Sequence, residues 1–134
     1  MKITIFANSY WNLYNFRLDF INYLAENKYE IDLIAPNDKY SKYFKNINCK
    51  VHYLDIKQNN ISIYSDFKLC IQLFKILKKI NPDLMLLYTV KPNLYGSIIS
   101  KILNIKYINT VTGLGTLALK GRIFRIVLYL IYKF

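Results

Sequence analysis

Five short apolar runs, at residues 3–7, 31–35, 50–54, 84–87 and 107–111, alternate with longer stretches of helical character along this 134-residue chain. That alternation constrains the fold more than any motif. Strands separated by helices pair in parallel, because each connection must cross over the sheet, and right-handed crossovers place helices on both faces. The expectation is an α/β fold, a doubly wound parallel sheet of strand order 3-2-1-4-5. In that order the sheet grows one way from strand 1 and then the other way from strand 4. The loops after strands 1, 4 and 5 then become neighbours at the carboxyl edge, where open α/β sheets bind ligands.

The punctuation supports these elements. Asn15 is positioned to cap a first helix that turns Leu18, Ile21 and Leu24 inward and ends near Asn27. Pro36 closes the second strand, a short helical piece covers residues 38–46, and Lys57-Gln58-Asn59-Asn60 forms a polar surface loop. Ser65 is expected to cap the most amphipathic helix. Its polar positions Lys68, Gln72, Lys75 and Lys79 recur at helical spacing before Asn81-Pro82 stops it. Lys91-Pro92-Asn93 breaks the fourth strand and opens a helix that runs to about residue 103.

The three converging loops carry the candidate binding residues. The first supplies Asn8, Ser9, Asn12 and Asn15 as amide and hydroxyl groups, Trp11 and Tyr14 as flat surfaces, and Arg17. Read as part of the first helical turn, Arg17 opposes the helix dipole, and a cation so placed has use for an anionic partner. An arginine that simply points into solvent, or pairs with a nearby carboxylate such as Asp19 or Asp38, is the alternative. The fourth loop supplies Thr89, Lys91 and Asn93. Pro92 pushes Lys91 into extended geometry, so that its ammonium projects from the strand end beside a helix N-terminus suited to phosphate or sugar oxygens. Ordinary capping with a solvated lysine is the alternative. The fifth loop supplies Thr112, Gly113 and Gly115, whose glycines let the backbone turn sharply and approach a ligand. Residues 113–118 match G-x-G-x-x-A, but after the last strand rather than the first and with no acidic residue beyond, which argues against a dinucleotide site.

Charge and composition narrow the classes. The formal net charge is +11, and all eight acidic residues lie at or before Asp83. The remainder carries Lys91, Lys101, Lys106, Lys120, Arg122, Arg125 and Lys133 unopposed. A cationic end within a 54% apolar chain suits anionic lipid or phosphate-bearing ligands. A composition rich in Lys, Ile, Asn and Tyr gives part of the same excess without any partner. The basic residues form no dense stripe and no known nucleic-acid motif is present, so no nucleic-acid partner is expected. If residues 120–134 are helical, Arg122, Arg125, Tyr129, Tyr132 and Lys133 share one face, and Ile123, Val127, Leu130, Ile131 and Phe134 the other. That pattern suits either an interfacial helix, with Lys120, Arg122, Arg125 and Lys133 as membrane contacts, or packing against the sheet or a further domain. It is too short to span a bilayer, which takes about 20 residues.

Cys49 and Cys70 have no paired spacing and His52 is the single histidine, so neither a disulfide framework nor a metal site is expected. A strand at Met1 leaves no room for a signal peptide, and a cytoplasmic location, peripheral on the inner face of the plasma membrane, is the expectation. No Ser/His/Asp, Cys/His or paired-carboxylate set for independent catalysis stands out, and the catalytic residues are left open.

The segments Tyr14-Asn15-Phe16-Arg17 and Thr112-Gly113-Leu114-Gly115, with the loop at Lys91-Pro92-Asn93, resemble the N-terminal domain of GT-B glycosyltransferases of the glycosyltransferase 4-like group. The resemblance runs through essentially the whole chain. It implies a Rossmann-like domain over residues 1–134, one half of a GT-B fold, with the donor-binding C-terminal domain outside it. It further implies a metal-independent, cofactor-free, anomer-retaining transfer of a sugar from a nucleotide sugar. The acceptor would be a polyprenyl-diphosphate-linked saccharide in capsule, O-antigen or other surface-glycan synthesis. This half would bind the acceptor, and alone would be incomplete and inactive. Many relatives carry a histidine near the end of the fourth strand where Leu86 stands here, which argues against a direct role of that loop in placing the transferred sugar. Two other readings remain open: a membrane-anchored subunit of a two-chain transferase, and a non-catalytic Rossmann-like module at the membrane surface.

Overall fold

The computed structural model of the protein describes residues 1–55 and 63–111. The expected loop at Lys57–Asn60, the glycine loop with Thr112, Gly113 and Gly115, and the basic segment with Lys120, Arg122, Arg125 and Lys133 lie outside the described residues. The elements are β1 (Lys2–Phe6), α1 (Tyr10–Glu26), β2 (Glu30–Ala35), a 3₁₀ segment (Ser41–Asn46), β3 (Lys50–Tyr53), α2 (Ile63–Ile80), β4 (Leu84–Tyr88), α3 (Val90–Ile102) and β5 (Lys106–Thr110).

All five strands are parallel and ordered β3-β2-β1-β4-β5, the order the sequence predicts. Strand alternation sorts the core into two layers. Ile3, Ile5, Ile31, Leu33, Leu86 and Tyr88 pack under α1 and the 3₁₀ segment, with Tyr10, Leu13, Ile21, Leu24 and Phe44. Phe6, Ile34, Met85 and Leu87 face the other way, against Leu69, Leu73 and Leu77 of α2 and Ile99 of α3. Inner strands covered on both faces need near-continuous apolar runs, which is why β4 reads Leu-Met-Leu-Leu-Tyr. Lys28, Asn81 and Asn104 follow the three helices with φ of 60°, 50° and 56°, so each helix ends on a left-handed residue.

Three helix starts differ from the sequence reading. Ser9, not Asn15, caps α1; its Oγ accepts the Asn12 N–H at 3.1 Å. Asn15 lies inside the helix, with its Nδ2 donating to the Trp11 carbonyl at 2.8 Å. Both residues are good caps in isolation, and the buried Tyr10 and Leu13 decide for the earlier start, because they anchor that turn in the core. α2 begins at Ile63, so Ser65 sits in its first turn. α3 begins at Val90, which makes Lys91 helical rather than extended. Pro92 is buried in the first turn, where its missing N–H would have had no helical partner, so the local bias against helix at Lys91 is overridden by packing.

Candidate functional site

β1 and β4 are neighbours, and α1 and α3 leave their carboxyl ends toward opposite faces of the sheet. This is the topological switch point, and the residues around it form the candidate site.

On the α1 side, Asn8 and Ser9 are half-buried between β1 and the helix, and Asn12 is half-buried in the first turn. The N-terminus of α1 is already served by protein groups. Besides the Ser9 cap, the Asp38 carboxylate accepts the Trp11 N–H at 3.0 Å and, through its other oxygen, the Tyr40 N–H at 2.8 Å. Arg17 lies about two turns into α1, beyond the reach of the first-turn dipole argument. Among the described residues it forms no salt bridge with Asp19 or Asp38. Its guanidinium lies over the Tyr88 ring, 4.5 Å from the centroid, while Nη1 donates to the Phe16 carbonyl at 2.7 Å. Tyr88 is the last residue of β4 and is buried, so the stacking fixes a cation at the switch point. Leu86, two residues earlier on the same face, is buried under α1. Asn15 is exposed on the helix surface, which makes it the least site-like of the residues proposed from the first loop.

On the α3 side the turn between β4 and α3 is a single residue. Thr89 has φ 74° and ψ 167°, a conformation close to glycine-only that costs a threonine about 1–3 kcal/mol. Among the described residues no side chain caps α3, and its first turn holds no acid. Two buried oxygens face this turn without a hydrogen-bond partner among the described residues, Thr89 Oγ1 and Asn93 Oδ1. Asn93 is only 3% exposed, and its amide is oriented by Nδ2 donating to the Thr110 carbonyl at 3.1 Å. Ser97 extends the seam: its hydroxyl lies 2.5 Å from the Asn93 carbonyl and 3.0 Å from Asn109 Oδ1. The carboxyl end of β5 is thereby tied to α3, one turn from the uncapped helix end.

Lys91 is placed differently from the sequence expectation. Its Nζ donates to Asp66 Oδ1 at 3.0 Å, with side chains 20% and 13% exposed, so the ammonium spans from α3 to the first turn of α2. The Tyr95 phenol joins the cluster: burial pushes its pKa well above the ordinary value, and its hydrogen bond to Asp66 adds to the shift. Lys91 therefore balances a nearly buried carboxylate. Asp66 and Tyr88 escaped the sequence reading. A pair 25 residues apart and a ring buried at a strand end have no local signature.

Among the described residues, no group of three or more His, Cys, Asp or Glu is placed to hold a metal ion, and no helix is long and apolar enough to cross a membrane. Asp32 and His52 form a separate pair at 2.6 Å between β2 and β3, away from the switch point.

Among the described residues, the arrangement offers a stacked cation, a helix N-terminus without a side-chain cap and two buried oxygens without partners at one sheet edge. It can hold a polar, anionic or hydroxyl-rich ligand. The same fold recurs in solved structures: the glycosyltransferase from Rickettsia africae superposes with a TM-score of 0.68 at 13% identity over 92% of this chain and 34% of its own. The UDP-GlcNAc 2-epimerase from Methanocaldococcus jannaschii gives 0.67 at 18% identity over 98% and 37%. At such identities the likeness shows the shared fold alone. In sequence, the chain is 27% identical over 138 aligned positions to the N,N'-diacetylbacillosaminyl-diphospho-undecaprenol alpha-1,3-N-acetylgalactosaminyltransferase of Campylobacter jejuni. The alignment takes in 99% of this chain and 37% of that enzyme, so the chain spans little more than a third of its relative's length. The family model described as glycosyl transferase 4-like matches residues 2–134, and with that match over nearly every residue the chain belongs to the glycosyl transferase 4-like family.

Proposed function

We propose that this chain is the acceptor-binding half of a glycosyltransferase that moves a sugar from a nucleotide sugar, with retention at the anomeric carbon, onto a polyprenyl-diphosphate-linked saccharide in surface-glycan synthesis. The observation that carries the reading is the start of α3, where strained Thr89 and buried Asn93 present oxygens without a partner among the described residues, directly after Tyr88, on which the Arg17 cation stacks. Oriented acceptors suit sugar hydroxyls, and a helix N-terminus with an arginine suits diphosphate oxygens. The Campylobacter relative, whose name specifies a diphospho-undecaprenol acceptor, supports the same class. Its greater length supports a donor-binding half supplied by further sequence or by a second subunit.

Incubating residues 1–134 with radiolabelled nucleotide sugars and a synthetic polyprenyl-diphosphate saccharide should give no transfer until a donor-binding half is supplied. The product's anomeric configuration, read by proton coupling, should match that of the donor. Transfer by the chain alone, or an inverted product, would overturn the corresponding part of the reading.

A further inference from the structure

The outward face of α2 and α3 carries a groove of about 760 Å³ that neither helix needs for packing on the sheet. Phe67 and Ile71 of α2 and Ile98 and Ile102 of α3 line it while staying exposed, Phe67 at 66% and Ile102 at 64%. Lys75, Lys78 and Lys79 stand along its margin. Across the sequences of both helices the single acid is Asp66, which is paired with Lys91, so this face holds lysines with no carboxylate to oppose them.

From this charge pattern we infer that the α2–α3 groove is the surface by which the protein lies on an anionic bilayer. Apolar side chains flanked by lysines match an interface in which the rings enter the acyl boundary and the ammonium groups stay with anionic headgroups. Other occupants suit the charge less well. The basic segment of residues 112–134 has no acid, and its Lys120, Arg122, Arg125 and Lys133 would meet the groove's lysines with like charge. A second copy docked on this face would bring the lysines of both copies into one interface, with Asp66 of each already paired and no other acid on α2 or α3 to offset them. The inference rests on the reading that the acceptor is carried by a bilayer, and it adds the contact surface. α3 contributes to both the groove and the candidate site, so one helix would set the site's position relative to the membrane.

The test uses the whole chain and phosphatidylcholine vesicles with or without phosphatidylglycerol, free of any polyprenyl lipid. Co-sedimentation should require phosphatidylglycerol and weaken with salt. Lys78→Glu and Lys79→Glu should each lower the partition coefficient at least about fivefold, and Phe67→Asp by a similar factor, at unchanged circular dichroism and melting temperature. Lys42→Glu, the same charge change on the exposed α1 side, should have little effect. Phe67→Trp should show a blue-shifted emission only with anionic vesicles. Equal loss from Lys42→Glu and Lys78→Glu would reduce the contact to diffuse charge and overturn the groove. So would unaltered binding in the groove variants, an absence of binding by the parent chain, or a parent dimer that Phe67→Asp disperses. Transfer to a short-chain, water-soluble acceptor, measured with the donor half present, separates the two readings. Groove variants should leave it intact, and its failure in the parent protein would count against the acceptor reading alone.

Discussion

Arg17 and Tyr88, from α1 and the last position of β4, meet with the guanidinium 4.5 Å from the ring centroid, joining the helix of the first crossover to the strand beside β1. The contact crosses the switch point and holds the cation where loops from both halves of the sheet converge. With the donor half supplied, Arg17→Ala should lower acceptor kcat/KM by about ten- to a hundredfold, the worth of a hydrogen bond to a charged group. Arg17→Lys should recover only part, since an ammonium neither stacks nor bridges two oxygens like a guanidinium. Donor KM should hardly move. Steady-state kinetics with each substrate varied in turn decide it, and an unchanged acceptor term in Arg17→Ala would make the contact structural.

Lys91→Met should destabilise the fold by roughly 2–4 kcal/mol, because it leaves Asp66 nearly buried without its cation. Lys91→Met combined with Asp66→Leu should recover much of the loss. Urea unfolding of the four species of this cycle measures the coupling. A Lys91→Met protein of parental stability would mean that the ion pair contributes nothing and that Lys91 is available to a ligand.

Gly96 sits where α3 crosses β4, and a Cβ there would lie 2.5 Å from Leu87 Cδ2 and 2.9 Å from Cδ1. Leu87 is fully buried and has little freedom to withdraw. Gly96→Val should therefore cost about 1–3 kcal/mol through overpacking, and Leu87→Ala in the same background should relieve part of that strain. Thermal melts of the single and double variants report it; additive losses would place the strain elsewhere.

Alkaline pH should destabilise the protein in a defined window. Burial pushes the Cys49 thiol up to about 11 from an ordinary 9.0, and Asp32 nearby adds to it. Below the ordinary value the thiol is protonated folded and unfolded, and pH has no leverage through it. Between the two values the unfolded chain releases the proton more readily, so stability falls as pH rises, by less than the limiting value of about 1.4 kcal/mol per unit because solvent screens this half-buried thiol. Burial raises the Tyr10 phenol as well, beyond the alkaline end of this range. Cys49→Ala should flatten the slope of unfolding free energy against pH between about 9 and 11. An unaltered slope would remove the thiol from the account.

The strand order was legible in the sequence, because apolar runs of strand length separated by helices leave a parallel sheet few topologies. Asn8, Ser9, Thr89 and Asn93 were legible as polar residues at strand ends, and the structure places all four at the carboxyl edge. The helix starts were not: Ser9 and Asn15 are both competent caps, and only burial of Tyr10 and Leu13 chooses between them.

Long-range partners were likewise invisible. Proline at position 92 argues locally for an extended Lys91, yet the Asp66 carboxylate, Tyr95 and a buried Pro92 hold that turn helical and use the ammonium inside the protein. Nothing near Arg17 in sequence announces the ring of Tyr88. The sequence by itself determined the sheet, its order and the edge where its strand ends gather, since these follow from hydrophobic period and connection length, which are local quantities. Which cations face that edge was decided only by tertiary structure, because the pairing of a charge depends on what packing brings within a few ångströms of it.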